Sequence, residues 1–260
     1  MMNSIFKTVS TILLSSTFCF LLNCKEEKNE LAYKFVERNS YSIDSYNGIS
    51  VYRDNKTSKP MNGNIVVGDK LRKWEEFKLN NGILNGEYIV FHENGKMFSN
   101  TLYLNGKVNG EDKKYYLSGA LKTVDLYKNG VKYGKSKEYF ESGQIRYESK
   151  IENEETVEST SYDIIGNILS QMFIKDGKTI TQNIKNGKVF SEQISSNYDN
   201  FEAMKFYNED GSLKIFLQML NQDDKHYLIE LNEQGDEIKR IDIKANPQEF
   251  FKYQQYFVGM

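Results

Sequence analysis

Apolar positions along this chain fall in short runs, and the runs recur with a long period. Stretches of six to nine residues rich in β-branched and aromatic side chains, such as 87–92 and 97–103, lie between Asn-Gly and Ser-Gly pairs. Gly82, Gly106 and Gly130 are spaced by 24 residues, as are Gly86, Gly110 and Gly134, and again Gly95, Gly119 and Gly143. Apolar columns keep the same step: Phe91, Tyr115 and Tyr139; Met97, Leu121 and Ile145; Tyr103, Tyr127 and Ile151. A fixed period of this length signals a repeat architecture in which each unit is one supersecondary element. Nine of the 18 glycines follow Asn, and that pair favours two-residue hairpin turns because both central residues take positive φ. A helix would be interrupted by glycine every nine to eleven residues, so each unit reads as strand, turn, strand, turn.

The pattern predicts an all-β fold: an elongated, single-layer antiparallel β-meander of stacked hairpin repeats, about 24 residues each. All nine column glycines are expected at turns. Residues 78–178 form the regular array, in which the fourth unit has lost one residue and opens with Asn153-Glu154 in place of Asn-Gly. Residues 179–245 continue as diverged repeats, with Gly187, Gly211 and Gly235 again 24 apart. Residues 39–77 read as a cap of irregular first hairpins. Asn246-Pro247-Gln248-Glu249 reads as a helix start, with Asn as cap and Pro at the first position. Phe250, Tyr253, Tyr256 and Phe257 then share one face of a short C-terminal capping helix over 246–260. The end strands of an open sheet need protection against edge pairing.

Composition supports strands: 13% of residues are aromatic, with 18 Tyr and 16 Phe, and only Pro60 and Pro247 are proline. Thirty-four basic and 36 acidic residues give a net charge of -2, without the general positive field that nucleic acid requires. Both cysteines, Cys19 and Cys24, lie in the first 24 residues, which excludes disulfides and thiolate chemistry from the repeats.

Those first residues read as an address. Lys7 precedes an uncharged run over 9–22, and charge returns at once from Lys25. The apolar run fits a secretory signal and is short for a membrane span. Leu21-Leu22-Asn23-Cys24 resembles a bacterial lipobox, with Asn23 in place of the usual small residue. The resemblance implies a signal peptide over 1–23, lipidation (palmitate) at Cys24 and a solvated tether over 24–38. The expected location is the bacterial cell envelope, lipid-anchored on its periplasmic or outer surface.

Catalytic and metal-binding constellations are absent from this reading, and no cofactor is expected. His92 falls in the column of Tyr116 and Phe140 and reads as a packing residue, and His226 reads as a solvated turn residue. Glu75-Glu76 cannot converge from one strand, and Asp223-Asp224 lacks the spacing of a calcium loop. The functional weight falls on the ring ladder Phe91, Tyr115, Tyr116, Tyr139 and Phe140. It reads first as packing and second as a flat contact surface for a protein or glycan.

The units NGKVNGEDKKYYLSGALKTVDLY and NGVKYGKSKEYFESGQIRYESKI resemble the bacterial variant of the MORN repeat, and Lys59-Pro60-Met61-Asn62-Gly63 is similar to the lead-in of YwqK-type antitoxin-like proteins. The resemblance implies a hairpin array that binds protein or lipid head groups, with no enzymatic residues. Three functions follow as expectations: an anchored protein-binding scaffold, a lipid head-group binder, or an immunity-like shield against a toxin.

Overall fold

The computed structural model describes residues 33–257. The signal segment, Cys24 and the tether as far as residue 32 lie outside the described residues. The N-terminal region holds β1 (Tyr33–Val36), a single 3-10 turn (Arg38–Ser40), β2 (Tyr41–Tyr46), β3 (Ile49–Asp54), β4 (Gly63–Gly68) and β5 (Lys73–Asn80). The regular repeats supply β6 (Ile83–Phe91), β7 (Met97–Leu104), β8 (Lys107–Tyr115), β9 (Leu121–Lys128) and β10 (Val131–Lys132). They continue as β11 (Gly134–Tyr139), β12 (Ile145–Glu152), β13 (Glu155–Tyr162) and β14 (Ile168–Lys175). The diverged repeats supply β15 (Lys178–Lys185), β16 (Lys188–Ser196), β17 (Glu202–Tyr207), β18 (Leu213–Gln222), β19 (Lys225–Leu231) and β20 (Glu237–Asp242).

From β4 to β20 successive strands pair antiparallel, with the two-residue β10 and then β11 both pairing with β9 across the bulge, giving one open sheet in a meander. The all-β single-layer expectation holds. Two details at the N-terminal edge depart from it. Residues 33–36, assigned to the tether, form strand β1, which runs parallel to β4 with Val36 opposite Val67. The β2–β3 hairpin leaves the sheet plane, touching it through the Val51–Ile83 pairing.

Turn chemistry fixes the register. Eight hairpins close through two residues that both have positive φ: Asn47-Gly48, Asn81-Gly82, Asn105-Gly106, Asn129-Gly130, Asn153-Glu154, Asp176-Gly177, Asn186-Gly187 and Asp223-Asp224. This mirror-image turn matches the right-handed twist of the strands it joins. The opposite edge uses longer turns in which Gly95, Gly119 and Gly143 donate back to the carbonyls of His92, Tyr116 and Phe140 at 2.8–2.9 Å.

The remaining glycine column has another role. Gly86 and Gly110 lie inside β6 and β8, and Gly134 opens β11, so these three are not turn residues. Near each of them the ladder slips by two residues: Leu79 faces Leu84 but Phe77 faces Tyr88, and Tyr103 faces Val108 but Thr101 faces Asp112. They are bulge glycines, with φ of 128° at Gly86 and 125° at Gly110. The fourth unit explains itself by the same rule. It lacks one residue, and the slip between β12 and β13 shrinks from two residues to one.

Apolar packing is concentrated at the ends. We call the face carrying Phe77 the front. There the β2–β3 hairpin lays Tyr41 and Tyr52 over Ile65, Val67, Phe77 and Leu79 in a buried cluster, with Tyr88 and Tyr103 against it. Arg38 ties this lid down through both oxygens of Glu75 (2.7 and 2.9 Å) and the Tyr41 hydroxyl (2.7 Å), and the Tyr88 hydroxyl donates to Glu75 at 3.0 Å. At the other end the front face buries Leu217, Leu228 and Ile241 beneath Tyr253, Phe250, Tyr256 and Phe257. The expected cap is therefore present, although it divides into a five-residue α-helix α1 (Pro247–Phe251) and a 3-10 turn (Gln254–Tyr256). Asn246 makes no side-chain cap, and Glu249 instead bonds Lys239 and Lys252. The back of the C-terminal end packs Ile194, Phe216, Ile229 and Leu231 beneath lysine stems. Between residues 85 and 193, Ile151 is the single buried hydrophobic side chain; Ser99, Ser136, Ser149 and Ser191 are the buried polar ones.

Gly110→Ala places a Cβ 2.6 Å from Leu102 at a φ that L-residues avoid, so urea melts should show a loss of about 1–3 kcal/mol. Glu154→Gly relieves a non-glycine residue at φ 69° and should add about 1 kcal/mol. Burial pushes Tyr52 up to about 12, aided by Tyr41 and Glu75, and raises Tyr41, Tyr88 and Tyr103 as well. A phenol whose folded pKa exceeds its unfolded value contributes stability that is complete below about pH 10 and lost as pH rises beyond it. Tyrosinate absorbance should therefore show these phenols ionising together with alkaline unfolding, and independent titration near pH 10 would contradict the N-terminal packing.

Candidate functional site

The ring ladder singled out in the sequence is half-buried throughout. Lys73 lies over Phe91 at 4.9 Å, Lys122 over Tyr116 at 5.4 Å and Arg146 over Phe140 at 5.9 Å. The Tyr116 hydroxyl donates to the Tyr139 carbonyl at 2.7 Å, bridging one repeat to the next. His92 occupies the same slot, edge-on to Phe98, with Nε2 3.2 Å from the Tyr115 carbonyl. These rings are engaged within and between repeats, and they do not form a bare flat ladder. His226, in β19, has Nδ1 against the Asn221 side-chain oxygen.

Cross-strand register distinguishes the two faces far more sharply than the aromatic columns do. One front row runs through Phe77, Tyr88, Thr101, Asp112 and Asp125, and Ser136 bonds Asp125 across to β11. The row continues through Ser149, Ser159, Met172, Thr181, Gln193 and Met204 to Leu217. Beside it Tyr147, Ser161, Ser170, Asn183, Ser191 and Phe206 form a parallel row, joined by Ser161–Ser170 (2.7 Å) and Asn183–Ser191 (3.1 Å) hydrogen bonds. From β12 to β17 neither row carries a charge. The corresponding back row holds Lys137, Glu148, Glu192 and Lys205. Hydroxyls of Tyr162 and Tyr207 bond Glu148 and Glu192 there at 2.6 and 2.8 Å.

The uncharged front strip ends in a groove of about 400 Å³ against the C-terminal cap. Thr181, Gln193 and Met204 line it from the first row, and Thr179, Ser195, Glu202 and Met219 from a third. Phe257 of the cap forms its wall. A groove with an apolar wall and convergent hydroxyl and amide groups is suited to binding. Its opposite end is the lidded N-terminal cluster, so the front face is a trough roofed at both ends.

Within the trough Asp112 and Asp125 stand directly opposite each other on β8 and β9. Thr101 donates to Asp112 at 2.6 Å, while Asp125 accepts from Ser136 at 2.5 Å and pairs with Lys132 at 2.8 Å. Sequence reading missed the pair because Asp112 shares its 24-residue column with Tyr88 and Ser136, and the slip near Gly110 sets which residue it faces. Among the described residues no group of three or more His, Cys, Asp or Glu side chains is placed to hold a metal. The chain matches no family model and no curated protein.

Like charges opposed across two strands destabilise a sheet by a few tenths of a kcal/mol. Asp112→Asn keeps an acceptor for Thr101 and removes that repulsion, so it should raise stability in urea by about 0.5 kcal/mol. Asp125→Asn deprives Lys132 of its partner and should fail to produce the gain.

Proposed function

We propose that this chain is a lipid-anchored envelope protein of the MORN-variant repeat class, held by an acyl group on Cys24, whose sheet binds a protein partner and performs no catalysis. One observation carries the reading: over β12–β17 the front face is an uncharged strip, mostly of hydroxyl and amide side chains, that runs to the roofed C-terminal end, while the back row across the same strands holds Glu148, Glu192 and Lys205. The centre of a protein interface is depleted of charge relative to the rest of the surface, and that contrast selects the front face. A single layer with little core of its own also leaves side chains on both faces of β7–β16 available for contact. Two acyl chains give stable attachment where one gives marginal binding, in keeping with a lipobox product.

Palmitate labelling should disappear in Cys24→Ser, and unchanged labelling would remove the anchor from the proposal. For the binding face, crosslinking in intact cells should capture a discrete partner with the wild-type chain. Gln193→Lys combined with Ser195→Lys, both exposed on the front, should abolish that capture. Gln171→Lys on the back should leave it intact. Identical capture by all three chains would refute the assignment of the face.

A further inference from the structure

The two edges of the sheet are finished differently. At β20, Arg240 pairs with Glu237 and Lys239 with Glu249 of α1, so the last strand is charged and braced. The β1 edge is apolar: Tyr33 and Phe35 are 56% and 53% exposed on its outer strand, and Trp74 of β5 is 37% exposed. Next to Phe35 and Trp74, past the Val36 end of β1, the tip is the β4–β5 turn, Asp69-Lys70-Leu71-Arg72, where Leu71 is 91% exposed. That tip has a fixed shape. Asp69 accepts from the backbone N–H groups of Leu71 (2.7 Å) and Arg72 (2.8 Å), and its own N–H donates to the Arg72 carbonyl at 2.9 Å. A side chain at Gly68 would collide with that same carbonyl, so the turn admits glycine alone there. Exposed leucine is thus held between Lys70 and Arg72, two residues before Lys73 and three before Trp74. Phe35, Arg38, Lys70 and Trp74 share a shallow groove of about 450 Å³.

We propose that this end of the sheet docks on the bilayer surface that holds the Cys24 lipid, and in this it rests on the anchored reading. Leu71, Phe35 and Trp74 enter the head-group region, and Lys70 and Arg72 meet anionic head groups. Two features choose the membrane as occupant. Tyr33 is nine residues after Cys24, a separation of at most about 30 Å in extended chain, so the lipid holds this edge at the surface. An apolar tip with basic flanks and an amphipathic indole is the chemistry of the interfacial layer.

Trp74 is the sole tryptophan and reports on the site directly. Residues 25–260, which contain the whole compact unit Tyr33–Met260, are mixed with phosphatidylcholine vesicles with and without phosphatidylglycerol. With phosphatidylglycerol present, Trp74 emission should shift to the blue and the protein should sediment with the vesicles. Leu71→Glu should lower the bound fraction about tenfold, and Lys70→Glu with Arg72→Glu should do the same at low salt. Leu117→Glu, at a turn residue 60% exposed in the middle of the array, should change nothing. Absence of any emission shift, an equal loss with Leu117→Glu, or a lipid-independent dimer that Leu71→Glu dissociates would each overturn the proposal. Palmitate labelling is read separately, so failure of the anchor and failure of the docking surface are distinguishable.

Discussion

From β5 to β20 every strand takes its position from the hydrogen-bonded ladder of a strand just before it in the chain, because the middle of the sheet has no second layer to hold it. In an ordinary β-sandwich the inner faces of two sheets set the register against each other. Between β7 and β15 register must come from the chain reversals alone. A reversal through two left-handed residues permits one pairing of the flanking strands, and the eight that occur here set the frame. Asn153-Glu154 and Asp223-Asp224 keep the same geometry without glycine, a steric expense the sheet tolerates because a slipped ladder would send every side chain of the next strand to the wrong face.

The apolar clusters then act as clamps. The N-terminal hairpin and the C-terminal cap lie on the same face, one at each end. Fraying of an open sheet starts at its terminal strands, so packing placed there protects the ladder where it is weakest. Hydroxyl ladders and cross-strand amide pairs hold the interior with modest individual energies. The result is a face whose middle is free of bulky core residues and retains small polar groups.

Much of this was legible in the sequence because turn chemistry is local. Asn-Gly columns located the hairpins, and Pro247 with the aromatic spacing after it located the cap. The bulges were not legible. Asn85-Gly86 and Asn109-Gly110 carry the same dipeptide as Asn81-Gly82 and Asn105-Gly106, and only the competition between two nearby turns decides which one reverses the chain. The strand at 33–36 was hidden for a related reason: its partner β4 lies some thirty residues away, and parallel pairing leaves no turn signal between them. The front strip escaped notice because it is spread one or two residues per strand over six strands. The aromatic ladder drew attention because rings are conspicuous in a sequence, whereas cations and carbonyls that cover them come from neighbouring strands.

An open sheet must also answer the question of what happens to its first and last strands. Exposed N–H and C=O rows template further strands, and natural sheets blunt them with charge, bulges or covering segments. β20 follows this rule through Glu237, Lys239, Arg240 and α1. β1 follows it only in being four residues long and carrying Lys34: it is flanked by exposed rings, and no covering segment lies on its outer side among the described residues. A short strand limits the ladder offered to a partner, but Phe35, Trp74 and Leu71 add apolar surface to it rather than charge. Left in water that edge would attract other chains. Its chemistry is economical if the edge is held against a surface from which strands are excluded and into which rings and leucine partition, as the docking proposed above would do.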